Sequence, residues 1–480
     1  MKESVLHRDT LKEDLGFFER IAVSVSNWSE RWFPDSYVFA ALAVILVAVC
    51  ALASGASVKS VAGAFGDGYW SLIPFTMQLS FVAISGYVCA VSPVASRLIE
   101  KLAALPRSAR AAVTFVALVS MALSLVNWAI SMVFSSLLVR ALARRTGLRM
   151  DYRAASAAAY LGMGATWALG LTSAAAQIQA NPASLPKSLL DITGIIPFAQ
   201  TIFLWQSMTM AVVLIVVSLL VAWFSTPAPE RAHTAQDMGV DLSEPVTDTK
   251  SERRPGEWLE HSPVLTLLMV ALGGIWLFNE FTTKDPLYAI SSLNTYNILF
   301  LMLGMLLCWR PRRFLDAVAK SVPSLAGMLI QFPLYGAIAF MMTKAPGIDG
   351  ATLSHHIAAA FVTVADSNTF APVMGAYSAV LGFLIPSGGG KWIIEAPYVM
   401  QAANELKVNL GWAVQVYNAA EALPNLINPF WMLPMLGILG IKARDVVGFT
   451  FTQLLVHAPL VLLMLWGFSM TLDYVAPVMP

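Results

Sequence analysis

Apolar residues run along this chain in long uninterrupted blocks, unlike the face-limited patterns of a water-soluble fold. No Asp, Glu, Lys or Arg occurs in 36–58, 71–96, 111–139, 154–186, 192–229, 263–279, 286–309, 321–343, 408–420, 422–441 or 446–472. A membrane-crossing helix needs about 20 apolar residues, and most of these blocks reach that length. They predict an all-α polytopic membrane protein. The short alternating strands of a membrane barrel are not seen in the pattern.

Charges between the blocks set an orientation, because Lys and Arg gather on cytoplasmic loops. Lys2, Arg8, Lys12, Arg20 and Arg31 place the N-terminus inside. Residues 1–34 are charged throughout, unlike a signal peptide. Within them Phe17, Phe18, Ile21, Val25, Trp28 and Trp32 have the spacing of a helix lying in the interface. The block 111–139 is preceded by Arg97, Lys101, Arg107 and Arg110 and followed by Arg140, Arg144, Arg145, Arg149 and Arg153. A single crossing would put one of these clusters outside, whereas a re-entrant hairpin with its tip near SLVNW (124–128) keeps both inside. Spans near 36–58, 71–92, 154–171, 200–224, 263–281, 294–309, 322–343, 413–437 and 446–472 follow. A second hairpin, 369–406, then enters from outside with PSGGG at its tip. Amphipathic arms, 94–105 and 353–364, precede the hairpins, and DSNT (366–369) reads as a helix N-cap.

The polar stretch 225–261 holds Pro227, Pro229, Pro245 and Pro255 and reads as an exposed cytoplasmic linker. The chain thus divides into an interfacial segment 1–34, a first transmembrane repeat 35–224, the linker 225–261 and a second repeat 262–480. The halves align weakly. Ser71, Leu72, Gln78 and Pro93 fall on Ser324, Leu325, Gln331 and Pro346 at an offset of 253, and Trp128 and Trp167 on Trp392 and Trp431 at 264. With the hairpins entering from opposite sides, this is an inverted-repeat design.

Composition sharpens rather than changes the picture. Of 480 residues, 57% are hydrophobic and 12% charged, with net charge +1 and mean hydropathy +0.67. Soluble domains carry about 25% charged residues, and a near-neutral chain gives no reason to expect nucleic acid as a partner. Cys50, Cys89 and Cys308 lie in apolar blocks without metal-ligand spacing. HExxH and GxSxG do not occur, and the adjacent His355 and His356 would point apart on a helix, so no enzyme, metal centre or cofactor is expected.

Candidate chemistry collects where the backbone breaks. In hydrocarbon every backbone polar group needs a partner, so an irregular stretch is either packed in protein or lines a cavity. In PSGGGKW, Ser387, Gly388, Gly389, Gly390 and Lys391 would form a hairpin tip. Free N–H groups there would open a helix starting at Trp392, an electropositive end suited to an anion, which glycine lets approach closely. Lys391 either faces the substrate or pairs with Glu395 one turn on. The first tip, with Ser124, Asn127 and Ser131, is neutral and polar. Each hairpin is followed by a stretch that reads as a broken helix. The first holds Thr172 and Ser173; the second holds Asn418, Glu421, Asn425 and Asn428. Glu421 would take a proton or help bind Na⁺; helix–helix packing by the asparagines is the plainer reading. The expected partners are a small carboxylate substrate and membrane lipid, with a homodimer left open, and Na⁺ stands beside H⁺ as a candidate coupling ion. A cation/proton antiporter, or a carrier of another organic anion, is the competing function. The antiporter would need a titrating carboxylate but no organic-anion site.

LIPSGGGKW (384–392), NPFWMLPMLGILGI (428–441) and YLGMGATWALGLTS (160–173) resemble the short-chain fatty acid transporter family, in order and over nearly the whole chain. PSGGGxW is the most specific of these motifs. The family resembles a branch of the ion transporter superfamily, whose citrate and succinate carriers have two hairpins and work as elevators. The resemblance implies bacterial inner-membrane uptake of small monocarboxylates such as acetoacetate or butyrate, coupled to H⁺ or Na⁺. The chain departs from the family pattern at candidate site positions. Glutamine is usual where Lys391 stands, aspartate is common at Glu421, and Trp-His-Gly-Gly is common where Trp167, Ala168, Leu169 and Gly170 stand.

Overall fold

The computed structural model describes residues 36–182, 185–243, 257–385 and 387–477. The expected interfacial helix in 1–34, linker residues 244–256 and Pro386 lie outside them. Among the described residues the regular structure is helical, with one isolated bridge between Pro346 and Thr352. The first half contains α1 (Ser36–Ala53), α2 (Val58–Ser71), α3 (Ile73–Ala90), α4 (Pro93–Ala103), α5 (Ala109–Val126), α6 (Trp128–Ala143), α7 (Tyr152–Leu161), α8 (Ala174–Ala180), α9 (Lys187–Thr193) and α10 (Trp205–Ser225). The second contains α11 (Val264–Thr283), α12 (Leu293–Cys308), α13 (Pro311–Ser321), α14 (Ala326–Lys344), α15 (Leu353–Val364), α16 (Phe370–Leu384), α17 (Gly388–Glu405), α18 (Leu410–Asn425), α19 (Pro429–Leu439) and α20 (Ala443–Ser469).

Among the described residues, six helical stretches are long and apolar enough to cross a membrane: Val58–Ala90, α5, α10, α11, α14 and α20. Helix α11 illustrates the lipid-facing extreme, since only 11% of its apolar window is buried in protein. Its Leu268, Leu272, Ile275 and Phe278 are exposed, which hydrocarbon tolerates and water would not.

Helices α5 and α6 are separated by one extended residue, Asn127, whose Oδ1 accepts from the N–H groups of Ala129 (2.9 Å) and Ile130 (3.0 Å). The same residue ends one helix and caps the next. The far ends of the pair meet: Arg145 Nη1 donates to the carbonyls of Ala103 (2.5 Å) and Pro106 (2.9 Å), just before α5 begins. Both basic clusters therefore sit at one end of the helix pair.

The linker keeps exposed residues such as Glu230 and Asp237, while its residues 226–243 also fold back onto that same end. Arg140 and Arg144 donate to the carbonyls of Asp241, Leu242 and Ser243, and Ala232 and Ala235 are buried. The buried Asp151 carboxylate accepts from His233 N at 3.0 Å, the partner that a desolvated charge requires. Between the expected spans 36–58 and 71–92 lies a further helix, α2. Ser57 caps it, and Gly68 and Gly336 meet, each in the place that the other's Cβ would need. The two glycines let α2 and α14 cross in direct contact.

Packing follows one scheme in both halves. Helix α5 lies on α7 and under α10, while α6 lies on α3 and α4; likewise α16 lies on α18 and under α20, while α17 lies on α14 and α15. Across the halves, α1 and α2 pack on α14, and α12 and α13 pack on α3. One difference stands out. The arms α5 and α6 run along each other, whereas α16 and α17 diverge, and a lysine bridges the gap.

Candidate functional site

Ser387 is extended (φ −152°, ψ 100°), and its Oγ accepts from Gly390 N at 3.2 Å while its carbonyl accepts from Lys391 N at 2.8 Å. Helix α17 consequently starts at Gly388, one turn before the expected Trp392. The glycines matter here for a different reason than the one expected. A Cβ at Gly388 would overlap the Trp167 ring and one at Gly390 the Tyr335 ring, while one at Gly389 would lie 3.1 Å from Phe75 Cε1. Three aromatic rings thus close on the backbone of this turn. Tyr417 adds a fourth, its hydroxyl donating to Gly388 O at 2.5 Å.

Lys391 projects from this turn into a polar cage. Its Nζ lies 2.8 Å from Ser378 O, 2.6 Å from Ser378 Oγ, 3.0 Å from Glu395 Oε1 and 2.8 Å from Glu421 Oε2. The Tyr417 ring centroid is 4.4 Å away. The oxygens come from α16, α17 and α18, so the lysine ties together the diverging arms and the helix beyond. Gly382, one turn past Ser378, leaves the slot open: a Cβ there would lie 2.9 Å from Glu421 Oε2 and 3.4 Å from Lys391 Cε. Lys391, Glu395 and Glu421 are all fully buried. Fully ionised, the three sum to −1, which a low-dielectric interior tolerates poorly.

Of the alternatives for Lys391, the structure has it paired with Glu395, and with Glu421 as well. Around it several buried polar atoms meet no hydrogen-bond partner: Glu421 Oε1, both side-chain atoms of Asn425 one turn on, and the indole Nε1 of Trp167 and of Trp392. Trp167 touches Gly388, and Trp392 packs on Tyr417 with centroids 4.7 Å apart. The two unpartnered donors thus belong to residues flanking the Gly388 turn, Trp167 with its ring against it and Trp392 one turn along α17.

The first tip is consumed by structure. Ser124 Oγ and Thr166 Oγ1 are 2.7 Å apart, Thr172 Oγ1 accepts from Trp128 N at 3.2 Å, and Asn127 Nδ2 donates to Tyr296 OH at 3.0 Å. Ser173 caps α8, and Asn428 Nδ2 reaches Phe383 O at 3.4 Å. The first-half break is real: a wide turn at Gly162–Thr166, a tight one at Trp167–Leu169, then extended Gly170. The second is shorter than expected. Asn418 and Glu421 sit on regular helix, which runs through Pro424 and breaks only at 426–428. At the first tip Trp128 packs on Trp431, in the helix that follows the second break, with centroids 5.9 Å apart, and at the second Gly388 packs on Trp167 in the first break.

Sequence reasoning missed Ser378, Gly382, Tyr335 and Tyr417. A Ser-to-Gly spacing of four in an apolar helix was the available sign, and it is shared by ordinary packing seams. Among the described residues no group of three or more His, Cys, Asp or Glu could hold a metal ion.

A family profile described as "Short chain fatty acid transporter" matches residues 17–468. The chain belongs to this family. A relative in Escherichia coli (strain K12), named "Putative short-chain fatty acid transporter", is 32% identical over 439 residues, 91% of this chain and 96% of the relative. One of the same name in Haemophilus influenzae is 28% identical and covers 93% of this chain and 99% of that one. Two solved structures share the fold at 15% identity. The YdaH transporter of Alcanivorax borkumensis has TM-score 0.57, with 91% of this chain and 98% of that one covered. MtrF of Neisseria gonorrhoeae, described within a class of antimetabolite efflux pumps, has TM-score 0.50, with 95% and 98% covered. A transporter of this family, all-helical and multi-pass, carries its polar cluster at the divergence of a helix pair.

Proposed function

We propose that the protein is a secondary carrier of short-chain monocarboxylates in a bacterial inner membrane, with its N-terminus in the cytoplasm. The carboxylate binds at the seam between the Gly388 turn and the first-half break, and uptake is coupled to H⁺ or Na⁺ through Lys391, Glu395 and Glu421. The observation that carries this reading is a pair of buried indole donors without acceptors: Trp167 Nε1, on a ring that lies against Gly388, and Trp392 Nε1, one helical turn along α17. A buried donor without a partner costs about 1–3 kcal/mol, and a carboxylate supplies the missing acceptors. Phe75 and Tyr335, against the same turn, suit a short alkyl tail. The recurrence of one packing scheme in both halves supports an internal repeat, whose two copies we take as inverted, as in other carriers. In that arrangement α1–α3 and α12–α14 are a scaffold, and the re-entrant hairpins move with α7 and α18 as an elevator.

Uptake of labelled butyrate into proteoliposomes tests the assignment. Trp392→Phe keeps the ring and removes the donor, so KM should rise about tenfold, the equivalent of a charged hydrogen bond of roughly 1.5 kcal/mol. Trp167→Phe should do the same. An unchanged KM in both variants would remove the seam as the carboxylate site.

A further inference from the structure

The four oxygens around Lys391 Nζ are a cation's coordination shell: a backbone carbonyl, a hydroxyl and two carboxylate oxygens, at 2.6–3.0 Å, drawn from three helices. Hard monovalent and divalent ions are held in proteins by this kind of oxygen set. Here the cation is covalently attached. The lysine chain reaches the shell through the slot that Gly382 leaves open.

We infer that this shell is a monovalent-cation site whose occupant, in this chain, is the tethered Lys391 ammonium, and that the ion left to couple transport is therefore a proton. With the ammonium in place the cluster carries −1 when both carboxylates are ionised and is neutral with one proton bound. Glu421 Oε1, buried and without a donor, is an oxygen on which that proton is accommodated. The other titratable groups facing the cluster are tyrosines. Tyr417 lies beneath the ammonium, Tyr377 and Tyr398 are hydrogen-bonded to each other, and Tyr335 sits across the Gly390 turn. Near neutrality tyrosines are uncharged, so none supplies a competing cation. The inference rests on the coupling role given above to Lys391, Glu395 and Glu421, and it chooses between the two ions left open there.

Thermal unfolding of the purified full-length protein tests it, at constant ionic strength in NaCl, KCl or N-methylglucamine chloride. A ligand that binds only the folded state raises the midpoint saturably. The wild type should melt at one temperature in all three salts. Lys391→Ala should melt lower in N-methylglucamine chloride and recover several degrees, saturably, in NaCl or KCl. An alkali-specific rise in the wild type, or a folded Lys391→Ala protein indifferent to the salt, overturns the inference. Should Lys391→Ala yield no folded protein in any salt, the double variant Lys391→Gln with Glu395→Gln takes its place. It removes one charge of each sign and keeps Glu421 and Ser378, and it too should show the alkali rise; a flat response overturns the idea. Wild-type proteoliposomes complete the test. Butyrate uptake should follow a pH gradient with no sodium present, and an absolute need for Na⁺ would overturn the inference. A protein that moves no carboxylate, yet shows the alkali rise in the variant, would sink the carrier reading and leave the tethered cation standing.

Discussion

At Lys391, Glu395 and Glu421 the arithmetic of buried charge makes the direction of each substitution unequal. Removing the ammonium leaves two carboxylates facing each other in a site closed to water, and breaking a buried ion pair from one side costs about 3–5 kcal/mol. Removing Glu421 leaves Lys391 and Glu395 as a neutral pair 3.0 Å apart. Lys391→Gln should therefore express poorly and melt early without alkali cations, while Glu421→Gln should fold nearly as well as the wild type. The carboxylate variant should instead lose gradient-driven accumulation of butyrate and retain exchange of labelled for unlabelled butyrate. Equal melting of the two variants would contradict the charge count, and undiminished accumulation by Glu421→Gln would take that residue out of coupling. The glycines give a second residue-scale test. At Gly390 an added methyl meets the Tyr335 ring, and overpacking of this kind costs about 1–3 kcal/mol. Gly390→Ala should be destabilised by that amount, and Tyr335→Leu in the same chain should restore much of it, because contacting sites are not additive. If Tyr335→Leu restores nothing, the close ring is not what demands glycine there.

Elements announced themselves in the sequence wherever charge or backbone chemistry marked them. The first hairpin was readable because five arginines follow an apolar block already preceded by basic residues, and because SLVNW places an asparagine where the helix must stop. Arg145 reaching back to Ala103 and Pro106 is the physical counterpart of that reading. Cysteines at Arg110 and Gly147, both exposed, should accordingly react with an impermeant thiol reagent from the same face of oriented vesicles; labelling from opposite faces would make the stretch between them one net crossing and end the hairpin reading. Helix α2 was not readable. Gly63, Gly66, Asp67 and Gly68 have the composition of a loop, and the close crossing that Gly68 makes with Gly336, more than 250 positions away, leaves no local mark. The second-half break is shorter than its sequence suggests because the two prolines there differ in position. Pro424 lies within the last turn of α18, whereas Pro429 begins α19, a position where its missing N–H has no partner to lose. In the site, Lys391, Glu395 and Glu421 were visible as charges in apolar sequence, but the cage was not, since Ser378 and Gly382 carry no mark that separates a cation shell from a packing seam.

For the whole molecule, the division into a scaffold and a moving unit makes a mechanical prediction. Helices α3 and α12 belong to opposite halves yet pack along each other, and the elevator reading keeps that seam fixed throughout transport. A Cβ built on Gly304 lies 3.6 Å from the Val88 Cβ, within the range of about 3.5–4.5 Å that a disulfide spans. With Cys89 and Cys308 replaced by serine so that no other buried thiol competes nearby, Val88→Cys with Gly304→Cys should therefore cross-link on oxidation. Butyrate uptake should be the same before and after, because the bridge joins two parts that do not move relative to each other. A rocking mechanism, in which the halves pivot against each other, requires this seam to open and close. If oxidation stops uptake and reduction restores it, the α3–α12 seam moves and the elevator division of this fold is wrong.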